Sequence, residues 1–294
     1  MNVTPNKSRS KFTGRRILQL ILQLVVVVVI TALGSIGNGA VEGNAILTLL
    51  IGLATSAAVV LGYIWVVQRT ERQAPLEMAK KGAGAAVGIG AMIGLVLFGA
   101  VILNLVFLDY YTVSGLGSPI GALGLFGVLT AAAVTEEVMF RGILFRIFEE
   151  WTGTWIALVI TSMLFGLMHL ANPNASLWGA LAIALEAGGL LTAAYVATRR
   201  LWLPIGLHIG WNIAGGVIFS TEVSGNNTPQ GLLDATLHGN ILLTGGSFGP
   251  EASLYSVVFC VLTAIVFMWL AYRRGHVVPL RGDAHKTATA KSDQ

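Results

Sequence analysis

Long apolar runs, almost free of charge, dominate this sequence and decide what it can fold into. They lie near residues 17–36, 45–67, 83–107, 119–148, 155–171, 176–197, 203–220 and 253–272. Each has about the length a helix needs to cross ~30 Å of hydrocarbon, although the fifth and seventh are short. The expected class is all-α, a polytopic membrane helix bundle of about eight transmembrane helices. Of the residues, 55% are hydrophobic and 11% charged, whereas about a quarter of a soluble domain is charged. A soluble enzyme is excluded.

Charge placement supplies the orientation, because short cytoplasmic loops collect Lys and Arg. With the N-terminus inside, all 18 Lys and Arg fall within the internal segments 7–16, 69–81, 141–146, 199–200 and 273–291. The external loops hold only acids: Glu42, Asp109, Glu222, Asp234 and Glu251. The formal net charge of +4 is then a topology signal and not a nucleic-acid patch, so the partner expected is the lipid bilayer, with no nucleic acid. The reading is a multi-pass protein of the inner (plasma) membrane with both termini cytoplasmic. A basic stretch precedes the first span, as in a signal peptide, but the apolar run is longer than such peptides carry, which favours a retained helix.

Residues 1–16 are expected to form a basic N-terminal segment, 17–273 the membrane domain, and 274–294 a cytoplasmic tail. The tail's small polar residues from about Gly282 onward predict disorder. Cys260 alone excludes a disulfide framework and reads as packing. The spacings Gly84-xxx-Gly88 and Gly117-xxx-Gly121 are expected to let helices approach closely.

Ionisable residues inside a bilayer are costly and mark function. They cluster in the second half of the chain. Glu137 and Arg141 are four apart, share a helix face and can pair, while Glu136 points about 100° away and is left available. Glu136 and His169 lie ~16 residues before and after a turn near Trp151–Thr154, which brings them to similar depth. There an imidazole hydrogen bond from His169 to Glu136 would suit proton transfer. His208 and Asn212, again four apart, can both donate hydrogen bonds to an oxyanion. His208 sits only about six residues inside its helix. Its depth matches that of Glu136 if the fourth helix projects beyond the bilayer, as Arg146, Glu149 and Glu150 suggest, and the site then opens toward the cytoplasm.

These residues form three motifs, Glu136-Glu137-Val-Met-Phe-Arg141, Phe165-Gly-Leu-Met-His169 and His208-Ile-Gly-Trp-Asn212. In order and spacing they resemble the EExxxR, FxxxH and HxxxN motifs of the CPBP family, the type II CAAX prenyl endopeptidases and their bacterial abortive-infection and bacteriocin-processing relatives. The resemblance spans roughly 119–220, which it implies is the catalytic core of the membrane domain. It implies an intramembrane endopeptidase in which Glu136 and His169 activate water, His208 and Asn212 stabilise the oxyanion, and Glu137, Arg141 and Phe165 support them. The substrate implied is a membrane-embedded or lipidated peptide or protein. A metal-free glutamate mechanism is preferred, with a zinc site of Glu136, His169 and His208 as the alternative. Glu186 belongs to none of the motifs. A supporting role is favoured for it, by polarising the cavity, contacting substrate or pairing with Arg141.

Two rival functions remain. Buried Glu and His residues also serve proton- or ion-coupled transporters, although the first three spans carry no matching ionisable half. A catalytically silent binding or immunity protein is the other. Gly245-Gly246-Ser247-Phe248-Gly249 fits the GxSxG hydrolase pattern in letters, but it lies in a loop and reads as turn glycine and helix capping.

Overall fold

The computed structural model describes residues 7–280. Every expected span is helical: α1 (Lys7–Ala40), α2 (Ala45–Glu71), α3 (Ala83–Phe107), α4 (Pro119–Thr152), α5 (Thr154–Ala171), α6 (Leu177–Thr198), α7 (Trp202–Asn212, prolonged by the π-helical segment Ile213–Ile218) and α8 (Leu254–Arg273). Among the described residues seven of these are long and apolar enough to cross a membrane. The short one is α7, with 11 helical residues and a π segment of 6. The chain is a multi-pass membrane protein.

Local chemistry sets the helix ends. The side chains of Asn44, Ser118, Ser176 and Ser253 accept hydrogen bonds from backbone N–H groups of the first turns of α2, α4, α6 and α8, which would otherwise lack partners. Between α4 and α5 the chain reverses at Gly153, whose φ of 80° is rarely open to other residues. Around Ser247, Gly245, Gly246 and Gly249 all have positive φ, as turn glycines do, but the helix cap is Ser253.

One end of the bundle collects the basic residues. Arg16 of α1 pairs with Glu71 at 3.3 Å and also with Glu150. Arg146 grips Glu71 with two bonds of 2.8 and 2.6 Å, and Arg199 pairs with Glu149. The segment after α8 is held at this end too, where Thr154 N–H bonds the Val278 carbonyl and Arg199 the His276 carbonyl. The tail from residue 281, and residues 1–6 of the basic N-terminal segment, lie outside the described residues. At 34 residues, α4 is about 50 Å long at ~1.5 Å per residue, more than the ~30 Å that hydrocarbon requires.

At the opposite end two loops pair as a small antiparallel sheet, which an all-α reading did not include: β1 (Tyr111–Leu116) and β2 (Leu233–Leu237), paired from Tyr111↔Leu237 to Leu116↔Leu233 with a register shift between Val113 and Gly115. The loop after α7 then folds back over the bundle. Asn172 Nδ2 bonds the Ser224 carbonyl, Gly225 N–H bonds the Phe248 carbonyl, and Phe248 is buried with Phe140, Phe165 and Ile183.

The helix that carries His208 and Asn212, α7, is seated closely against α3. A Cβ at Gly90 or Gly94 would lie 2.3 or 2.2 Å from the carbonyl oxygens of Leu203 and Leu207, and one at Gly206 or Gly210 would lie 2.2 or 2.1 Å from those of Val87 and Ala91. Two crossed GxxxG faces thus bring backbone against backbone. The expectation for Gly84 and Gly88 is overturned, since nothing lies within 4 Å of a Cβ at either. Two residues turn a helix by about 200°, so Gly88 and Gly90 face opposite ways. Gly117 and Gly121 approach the loop around Gln230 and Gly231 rather than another helix. Gly210→Ala should therefore destabilise by roughly 1–3 kcal/mol through overpacking, while Gly88→Ala should be neutral or stabilising by up to about 1 kcal/mol. Thermal unfolding in detergent separates the two, and equal shifts would refute this packing.

Candidate active site

The regular α-helical part of α4 ends at Glu137, and Val138–Phe145 is π-helical. Two further π segments occur, Ala184–Gly189 around Glu186 and Ile213–Ile218 directly after Asn212. Such insertions are rare and concentrate where a helix must re-aim its side chains. Here each adjoins a candidate residue.

Arg141 is the centre of the arrangement. It is 1% exposed. Its Nη1 donates to Glu137 Oε1 at 2.7 Å, its Nη2 to the carbonyls of Ala187 at 2.6 Å and Gly188 at 3.2 Å, and its Nε to Thr192 Oγ1 at 3.3 Å. The guanidinium carbon stands 4.9 Å from the centre of the Phe165 ring, within cation–π range. On its other sides that ring meets Phe140 at 4.9 Å, His169 at 4.8 Å and His208 at 6.4 Å. Phe165 is thus an apolar spacer between the guanidinium and both imidazoles, a physical reason for an aromatic at that position.

Glu137 is fully buried, and its Oε1 also takes a hydrogen bond from His208 Nδ1 at 2.9 Å. Glu137 therefore both pairs with Arg141, as its spacing predicted, and orients a histidine, which spacing did not reveal. The other ring nitrogen, His208 Nε2, lies 3.9 Å from Glu136 Oε2, and the Glu136 side chain keeps 22% exposure. Glu136 is the more accessible carboxylate, as its helical phase implied. The imidazole against both glutamates is His208, whereas the sequence placed His169 beside Glu136. Asn212 is buried one turn further along α7.

His169 ends the regular part of α5, and its Nδ1 is 2.7 Å from the Phe165 carbonyl. A carbonyl only accepts, so Nδ1 carries the proton and a neutral His169 presents a bare Nε2. The expectation that His169 donates to Glu136 holds only for a doubly protonated ring. As a neutral group it accepts.

His169, Glu186, His208, Ser224 and Glu251 share the wall of one cavity. Glu186 is 1% exposed, and neither of its oxygens has a hydrogen-bond partner among the described residues, so the option that it pairs with Arg141 is not realised. Glu251 was counted as an external-loop acid. It is buried instead, taking hydrogen bonds from Trp211 Nε1 at 2.9 Å, Ser224 N–H at 2.5 Å and Ser224 Oγ at 2.7 Å. Burial pushes its carboxyl above the usual carboxylate range, and the bonds from Ser224 and Trp211 oppose this. The one local hint was its place beside Pro250, immediately before the last apolar run.

Among the described residues no three His, Cys, Asp or Glu side chains converge as a metal site requires. The set Glu136, His169 and His208 does not fit a zinc ion as it stands.

Residues 118–214 match the family described as Type II CAAX prenyl endopeptidase Rce1-like. That segment is Rce1-like in sequence. It contains α4 to α7 up to Asn212, and thus all three motifs. The "Putative membrane peptidase YdiL" of Bacillus subtilis (strain 168) is 32% identical over 79 residues, which cover 27% of this chain and 30% of that relative. No solved structure matches the chain.

Removing one partner of a fully buried ion pair strands the other charge, at a cost of roughly 3–5 kcal/mol. Arg141→Ala should therefore lower the unfolding midpoint more than Arg146→Ala, whose partner Glu71 is partly exposed and whose loss costs about 1 kcal/mol. Equal midpoints would contradict the bracing role of Arg141.

Proposed function

We propose that this chain is an intramembrane endopeptidase that hydrolyses a peptide bond of a membrane-embedded or lipidated protein. The observation that carries the reading is the buried cluster of Glu136, Glu137 and His208, built on the segment with Rce1-like sequence. Glu136, partly exposed and free of Arg141, takes a proton from water, with the bare Nε2 of His169 as the second acceptor. The activated water attacks the scissile carbonyl. His208 Nε2 and the Asn212 amide donate to the oxyanion, and the abstracted proton passes to the leaving amine. Glu137 and Arg141 hold His208 in place without touching substrate. The basic end of the bundle faces the cytoplasm, so both termini lie on that side.

The test is cleavage of quenched apolar and prenylated peptides by the purified chain in detergent. Glu136→Ala and His169→Ala should each lower kcat by at least about 100-fold, within the range for losing an acid or base. Asn212→Ala should cost about 100-fold with KM little changed. Cleavage that survives Glu136→Ala sinks the mechanism. A chelator should leave the rate intact, and abolition by the chelator would replace this mechanism with a metal-dependent one.

A further inference from the structure

Glu186 contradicts a general rule. Buried polar groups are bonded, yet both oxygens of this carboxyl are unpartnered and 1% of the residue is exposed. It lies in the π segment of α6 and faces the cavity it shares with His169 of α5, His208 of α7, Glu251 of the folded-back loop and Cys260 of α8. Arg141 of α4 is adjacent, but its protons go to Glu137, Thr192 and the carbonyls that follow Glu186. Trp211 and Ser224 donate to Glu251.

Donor and acceptor inventory then defines what fits. Neutral His169 offers a bare Nε2 because its Nδ1 proton is held by Phe165, and the Glu186 carboxyl offers oxygens with no protein partner. A small molecule that can both give and take hydrogen bonds meets the pair in either protonation state of the carboxyl. The cavity leaves about 20 Å³ for water centres, above the ~10–15 Å³ that one water needs. We propose that one buried water bridges His169 Nε2 and the Glu186 carboxyl, making Glu186 a positioning residue that orients the His169 ring. The role rests on the endopeptidase reading, but the water bridge itself does not. No bond is made or broken beyond proton movement along O–H···N and O–H···O contacts.

The experiment follows the His169 ring by ¹⁵N NMR of histidine-labelled protein in lipid nanodiscs, alongside kcat and KM across pH. Glu186→Gln, which keeps the volume, should move the His169 Nε2 resonance and one limb of the kcat profile. It should also lower kcat by about tenfold, the scale for losing a partner that orients a histidine, with KM within about twofold. Glu186→Asp, able to keep the bridge, should restore part of each. An unmoved resonance together with an unmoved profile overturns the proposal. So does a Glu186→Leu chain that is more stable and as active as the original, because the space is then a packing defect. If the unaltered chain cleaves no peptide while the resonance still responds to Glu186→Gln, the bridge stands and the endopeptidase reading falls.

Discussion

The bundle around the site depends on one buried cation. A guanidinium inside packed helices is tolerated only if its protons and charge are satisfied, and Arg141 meets that demand across three helices at once. Its charge is met by Glu137 on α4, four of its hydrogen bonds run to α4 and α6, and its flat face lies against Phe165 of α5. Because the partners are largely fixed backbone and β-branched or aromatic side chains, the three helices are held in one mutual register. Glu137 in turn transmits that register to α7 through His208. A chain of contacts one side chain wide therefore joins α6 to the three helices that carry the motifs.

The π segments are what let this chain close. A regular helix presents residues four apart on one face but bonds its carbonyls internally, leaving little for an inserted side chain. In the π segment Ala184–Gly189 the carbonyls of Ala187 and Gly188 accept hydrogen bonds from Arg141. The π segment of α4 holds Arg141 itself. At the other end of the bundle the ion pairs of Arg16, Glu71, Arg146 and Glu149 are partly exposed and individually weak. They fix helix ends, whereas the buried cluster fixes helix faces.

What sequence could reveal divides along the same line. Local information was legible: the helices lie within a few residues of the apolar runs except at α1, the Glu137–Arg141 pair follows from i,i+4 spacing, and the more accessible Glu136 follows from helical phase. Tertiary partners were not legible. Periodicity says which face Gly90 shares with Gly94 but not that α7 lies there, and Gly84 with Gly88 makes an equally good pattern that meets nothing. Glu251 read as a loop acid because only a long-range fold-back buries it against Trp211. His208 read as facing an oxyanion, while its Nδ1 partner is a glutamate 71 positions earlier.

The two histidines illustrate how such partners divide labour between identical side chains. Both have Nδ1 committed, His169 to a neutral backbone carbonyl and His208 to a carboxylate, so in each case Nε2 is the atom left for chemistry. A neutral ring whose Nδ1 proton is held by a carbonyl presents Nε2 as an acceptor. A ring with Glu137 at one nitrogen and Glu136 3.9 Å from the other stands between two carboxyl groups. In the proposed mechanism the same residue type serves a water on α5 and an oxyanion on α7, and what stands behind each ring is what differs.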